Sequence, residues 1–168
     1  CDRTHAYLFF TGDNGRFYRS QTKLEDFPKG MSDPVIVMQS SDRGELFEAS
    51  ATYRLKGRQN YLTIIEAMNP GGRYYRSFLA DSLDGPWRPL ADTWKNPFAG
   101  MSNVRFDDGV KPWTKEISHG ELIRDGYDET MTVDPANLQL LYQGRDPASD
   151  GMPYSQLPYR LGLLRLAK

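Results

Sequence analysis

An all-β fold is predicted by three features of this 168-residue chain. Apolar residues recur mostly with period two, not 3.6. Turn-forming residues interrupt these runs at short intervals, with 15 Gly and 11 Pro in all. No stretch carries a capped helical pattern longer than a turn or two.

The elements follow in order. Tyr7–Thr11 and Arg16–Thr22 flank Gly12-Asp13-Asn14-Gly15, whose Asn-Gly pair signals a hairpin. After the Pro- and Gly-rich segment 25–34 comes a short strand, Val35–Gln39. Leu46–Leu55 and Asn60–Met68 bracket Lys56-Gly57-Arg58-Gln59 as a second hairpin. Arg73–Ala80 is a further strand, closed by Asp84-Gly85-Pro86-Trp87, and Ala91–Pro112 reads as a long loop. Ile117–Arg124, Thr130–Val133, Leu138–Gln143 and Leu161–Leu166 complete the set.

An internal echo refines the architecture. Gly15-Arg16-Phe17-Tyr18-Arg19-Ser20 recurs as Gly72-Arg73-Tyr74-Tyr75-Arg76-Ser77, each copy following a turn and opening a strand. The spacing fits one four-stranded unit per repeat, as in a β-propeller; coincidence in a Tyr- and Arg-rich chain is the other reading. The length holds about three blades, fewer than a propeller requires, so an incomplete propeller is expected. The apolar run Ala6–Phe10 starts close to Cys1, so upstream polypeptide is also expected.

Charge excludes several partners. With 21 Lys+Arg against 22 Asp+Glu, the net charge is −1, which leaves no electrostatic footprint for nucleic acid or an anionic membrane. No apolar run approaches the roughly 20 residues of a membrane-spanning helix. Cys1 is the single cysteine, so no internal disulfide can form.

Several residues could carry chemistry. Simple alternation puts Phe47, Ala49, Ala51 and Tyr53 on one face and Glu48, Ser50, Thr52 and Arg54 on the other. Glu48, beside apolar Leu46 and Phe47, suits a general acid whose proton is retained by desolvation; an ordinary surface carboxylate is the competing reading. Glu66, flanked by Ile64 and Ile65, is a second candidate acid, and its burial calls for a partner such as an Arg. His119, in Ser118-His119-Gly120-Glu121, can bind a metal or hydrogen-bond a carboxylate, or be structural. No second His lies at zinc spacing. Trp87, Trp94, Trp113, Tyr127, Tyr154 and Tyr159 fall in or beside turns, where most pack the core and one or two are expected to stack on a sugar ring.

Eight ordered motifs carry a family resemblance: Tyr7 through Gly15, Leu46-Phe47-Glu48-Ala49, Tyr75-Arg76-Ser77-Phe78, Asp81 through Trp87, Asn96 through Gly100, Ile117 through Arg124, Thr130 through Pro135, and Leu141-Tyr142-Gln143-Gly144. Together they resemble glycoside hydrolase family 62, α-L-arabinofuranosidases that act on arabinoxylan. The resemblance implies a five-bladed β-propeller, of which residues 1–168 form the C-terminal portion, roughly the last three blades of one catalytic domain. It implies hydrolysis with inversion, with Glu48 as general acid and an Asp base in upstream polypeptide outside this chain. It places His119 near the propeller axis, holding a calcium ion largely through waters. It makes Tyr154 a lining residue of the sugar pocket and Gln143 a further substrate-binding candidate. Implied partners are arabinoxylan or arabinoxylo-oligosaccharides and the N-terminal part of the same propeller, in a secreted, monomeric enzyme with no nucleic-acid or membrane partner. Alternatives are a related propeller arabinanase or xylosidase, and a non-catalytic carbohydrate-binding propeller fragment. Two departures stand out: Met152-Pro153-Tyr154-Ser155-Gln156 replaces the family's usual Asp-Tyr-Asn-Ser run, and Ala136 stands where many members have a Cys.

Overall fold

Alternation and turn chemistry produce twelve strands and no α-helix among the described residues of the computed structural model, which are 1–167; Lys168, the last residue of the expected domain, lies outside them. Strands β1 (His5–Thr11), β2 (Arg16–Lys23) and β3 (Val35–Gln39) form a first sheet in the order β1-β2-β3. The β1–β2 turn needs Gly15, whose φ is +75° and whose Cβ, were there one, would lie 2.7 Å from the Ser40 carbonyl oxygen.

The second sheet is the largest. Strands β4 (Glu48–Leu55), β5 (Tyr61–Asn69), β6 (Gly72–Ala80), β7 (Arg88–Thr93) and β8 (Asn96–Pro97) pair antiparallel in sequence order. Strands β9 (Ser118–Leu122), β11 (Gln139–Gly144) and β12 (Arg160–Arg165) make a third sheet in the order β12-β11-β9. The short β10 (Thr132–Val133) leaves that region to pair in parallel with the Arg54–Leu55 end of β4. Three successive antiparallel sheets, each built from neighbouring stretches of chain, are the blades of a partial propeller.

The echo maps onto equivalent burial. Its copies open β2 and β6; Phe17 and Tyr74 are both buried, as are Ser20 and Ser77. One strand template therefore serves two blades. The structure adds two strands that the sequence reading lacks, β7 and β8, and shifts several boundaries. Leu46 closes a 3-10 turn, Arg43–Leu46, ahead of β4. The expected loop from Ala91 begins inside β7, where Ala91 N–H donates to Ser77 Oγ at 3.2 Å. Strand β7 is largely solvent-exposed, with Leu90 exposed, so it lacks the alternation that buries one face of a strand.

Two cores hold the sheets together. Tyr53, Leu62, Ile64, Tyr75, Ile117, Leu122, Val133 and Leu140 join the second and third sheets; Phe17, Leu46, Ile65, Phe78 and Trp87 join the first and second. Each fully buried aliphatic side chain contributes about 1.5–3 kcal/mol relative to exposure. The three turn tryptophans are structural: Trp87 meets Phe9 edge-on at 5.8 Å, Trp94 meets Tyr74 at 5.2 Å, and Trp113 stacks on Tyr142 at 5.9 Å, whereas Tyr127 and Tyr154 are exposed. The surface totals 10278 Å², against about 8,400 Å² for a compact monomer of this mass. Exposed Leu8, Val35, Ile36, Leu161 and Leu163 on the first and third sheets are part of that excess.

The chain start is tied down by Asp2. Its carboxylate accepts hydrogen bonds from the Thr4 and His5 N–H groups and from Tyr7 Oη, each at 2.8 Å. Partial burial raises its pKa, but these bonds outweigh that and hold it at about 2, below the ordinary 3.8. A carboxyl depressed on folding stabilises above its unfolded value and loses that contribution as pH falls through the folded one. Asp2→Asn should therefore lower the melting temperature near pH 6 and shrink the wild-type loss of stability between pH 4 and 2, read by thermal melts across that range.

Candidate active site

The site is built where β4 begins. Asp42 caps the 3-10 turn with Oδ1 accepting from Gly44 N–H at 2.8 Å. Gly44 lies so close to the end of β5 that a Cβ would sit 2.3 Å from the Met68 carbonyl oxygen. Phe47 N–H then donates to the Glu66 carbonyl at 3.1 Å, which delivers Glu48 into the sheet opposite Glu66.

A bulge then changes which way Glu48 faces. Glu48 pairs with Glu66 and Ala51 with Ile64, so the register shifts by one residue, and Ala49 takes φ +47°. Uninterrupted alternation sets Glu48 with Thr52, on the side where Thr52 Oγ1 and Thr63 Oγ1 meet at 2.9 Å. The extra residue instead turns Glu48 toward the face of Tyr53, Glu66 and Tyr75. The face assignment for Glu48 read from the sequence is thus corrected.

Two carboxylates directly opposite one another repel. Arg73, at the start of β6, resolves this: its Nη1 donates to Glu48 Oε1 and, at 2.5 Å, to Glu66 Oε1. The Arg partner expected for Glu66 is Arg73, and the same guanidinium serves Glu48. The Phe47 ring lies 5.2 Å from the guanidinium carbon. Burial raises the Glu66 carboxyl above the ordinary carboxylate range, opposed by the His119 N–H and by Arg73. Glu66 and Glu48 together push the Arg73 pKa up against its own desolvation, so it stays charged.

His119 joins through its backbone as well as its ring. It has φ +41°, and its N–H donates to Glu66 Oε2 at 2.6 Å. Its Nδ1 lies 2.8 Å from Ser118 Oγ, which also approaches Glu66 Oε1 at 3.4 Å. Its Nε2 is 3.9 Å from Glu48 Oε1. On the next residue, Gly120 N–H donates to Tyr75 Oη at 2.5 Å. Burial raises the pKa of that phenol, so it remains protonated.

Exposure separates the two candidate acids. The Glu66 side chain is fully buried with both oxygens engaged, whereas Glu48 is 29% exposed and His119 43%. Only Glu48 can meet a ligand. Glu48, Glu66 and His119 place donor atoms within 4.8 Å of one another. Calcium requires six to eight oxygens, and here both carboxylates are shared with Arg73. With so few free oxygens this donor set does not suit direct ligation of calcium; an ion here could be contacted only through water.

The remaining candidates are more dispersed. Gln143 pairs with Ser118 across β11 and β9, beside His119. Tyr154 stands on a separate 3-10 turn, Tyr154–Gln156, 75% exposed, and its side chain makes no hydrogen bond among the described residues. Sequence reasoning did not single out Arg73. Its place in the echo, matching exposed Arg16, marked it as a strand-template residue.

Blades of antiparallel strands with an anchored carboxylate at a strand mouth have the architecture of the propeller glycoside hydrolases. The endo-arabinase of Bacteroides thetaiotaomicron VPI-5482 shares this fold at TM-score 0.60 and 18% identity, over 99% of this chain and 48% of that one. The family model for glycosyl hydrolase family 62 matches residues 1–165, and the chain belongs to that family. It is 49% identical over 170 residues to alpha-L-arabinofuranosidase C of Cellvibrio japonicus (strain Ueda107), covering 100% of this chain and 27% of that protein. The catalytic domain of the Coprinopsis cinerea GH62 alpha-L-arabinofuranosidase superposes with TM-score 0.93 at 49% identity, over 98% of this chain and 51% of that one. An alpha-L-arabinofuranosidase from Podospora anserina, solved in complex with cellotriose, gives TM-score 0.92 at 49% identity, over 99% and 52%. The chain thus spans about half the length of the solved relatives and about a quarter of the curated one.

Proposed function

We propose that the protein carrying this chain is an inverting α-L-arabinofuranosidase that releases single terminal arabinosyl groups from arabinoxylan, with Glu48 as general acid. The observation that carries the reading is the partly exposed Glu48 carboxylate, anchored by Arg73 beside His119 in a family 62 chain. Glu48 donates its proton to the xylosyl oxygen as the glycosidic bond breaks. A water on the opposite face attacks the anomeric carbon and gives its proton to an Asp base in polypeptide outside this chain. Inversion needs about 6.5–9.5 Å between the two carboxyl groups to admit that water.

In this reading Tyr154 and Gln143 line the sugar site, and His119 contacts a calcium ion through water. The ion supplies a positive potential that favours ionised carboxylates when bound. The substrate is an extracellular polymer, so the enzyme is secreted and works as a monomer once the N-terminal part of its propeller is in place. Relatives named arabinofuranosidases stand at 49% identity, against 18% for the endo-arabinase, which favours this activity over the related propeller specificities.

Proton NMR of the reaction with arabinoxylan tests the proposal. β-L-Arabinofuranose is expected as the first product signal, before mutarotation. An initial α product overturns inversion, and no released arabinose overturns the activity.

A further inference from the structure

We propose that Arg73 is the positioning residue of the acid: it fixes the Glu48 carboxylate so that Oε2 alone is presented for proton delivery. The inference rests on the assignment of Glu48 above and adds a residue that the motifs do not mark.

The geometry is specific about which oxygen is used. Arg73 Nη1 contacts Glu48 Oε1, the same oxygen that lies 3.9 Å from His119 Nε2. Glu48 Oε2 has no hydrogen-bond partner among the described residues and is not a buried orphan, so it is the oxygen free to carry the proton.

Arg73 is itself held from several directions. Its guanidinium donates to Glu66 Oε1 at 2.5 Å, and Glu66 cannot move, because it is fully buried and its Oε2 accepts the His119 N–H at 2.6 Å. The Phe47 ring lies against the guanidinium. The Arg73 carbonyl accepts from Ile117 N–H at 3.1 Å, tying β6 to the segment that leads into His119. A flexible glutamate at a bulge is thereby fixed against a rigid buried frame, which is the arrangement that preserves near-attack geometry.

The step has a simple balance. The proton on Oε2 passes to the glycosidic oxygen, the C–O bond breaks, and the negative charge left on Glu48 is met by a guanidinium already in place. No further reactant is needed beyond the hydrolytic water.

Leaving-group dependence separates this role from a structural one. Departure of a xylosyl alkoxide needs protonation, whereas 4-nitrophenolate leaves without it. Arg73→Met, Arg73→Lys and Glu48→Gln are made in the full-length protein and assayed on arabinoxylan and on 4-nitrophenyl α-L-arabinofuranoside. Arg73→Met should lose about 10²-fold in kcat on arabinoxylan and less than about 10-fold on the aryl substrate, the same asymmetry as Glu48→Gln. The Arg73→Met/Glu48→Gln double variant should lose no more than Glu48→Gln alone. Arg73→Lys, which keeps the charge but replaces the planar guanidinium by an ammonium, should show an intermediate asymmetry and carries the test if the Met variant does not fold. Equal losses on both substrates, or no loss, in an Arg73 variant overturn the proposal while Glu48→Gln keeps its asymmetry. If Glu48→Gln itself shows no asymmetry, the assignment of the acid fails first.

Discussion

Glu48→Gln should cut arabinose release from arabinoxylan by at least about 10²-fold, because an amide cannot supply the proton that the leaving xylosyl oxygen needs. The fold should survive the change. Glu48 is partly exposed, and an isosteric amide still offers an oxygen to Arg73. The melting temperature should shift by a few degrees at most, corresponding to about 1 kcal/mol. Initial rates on arabinoxylan and a thermal melt check both halves of the prediction. Full activity in the variant removes Glu48 from the acid role, and a collapsed melt makes it structural. Glu66 does not inherit the role in either case, because its oxygens face Arg73, Ser118 and the His119 N–H within the protein.

Glu66→Leu should be the most destabilising single change at the site. It removes a fully buried carboxylate and leaves the His119 N–H and part of the Arg73 guanidinium without a partner. Breaking a buried pair from one side costs about 3–5 kcal/mol. Glu48 still compensates Arg73, so the lower end of that range is expected, a fall of roughly 10 °C in melting temperature. Glu66→Gln keeps the shape and one acceptor and should lose less. Thermal melts of the two variants in the full-length protein test the ordering. A Leu variant as stable as wild type would show that hydrophobic packing replaces the ion pair without penalty, as it does in some proteins.

The pairing of these two glutamates shows how much of the site the sequence contained. Glu66 sits between Ile64 and Ile65 on one side and Ala67 on the other, so burial and the need for an Arg follow from local pattern alone. The identity of that Arg does not. Arg16 and Arg73 occupy the same place in the repeated strand template, yet Arg16 is exposed and Arg73 bridges two carboxylates. Only the second copy faces a carboxylate pair. His119 was legible as a residue able to hydrogen-bond a carboxylate, but the bond that anchors it comes from its backbone N–H.

The sequence by itself determined every strand but β7 and β8, the two hairpin turns and the family, and it offered the propeller repeat as one of two readings of the echo. These depend on local properties: period-two alternation, Gly at turns with positive φ such as Gly15 and Gly57, and ordered motifs. The tertiary structure alone decided the direction of Glu48. A single extra residue at Ala49 shifts the register between Glu48 and Ala51 and reverses the face that alternation assigns. Side-chain direction in a strand has period two, so one inserted residue inverts it, and only pairing with the next strand reveals the insertion.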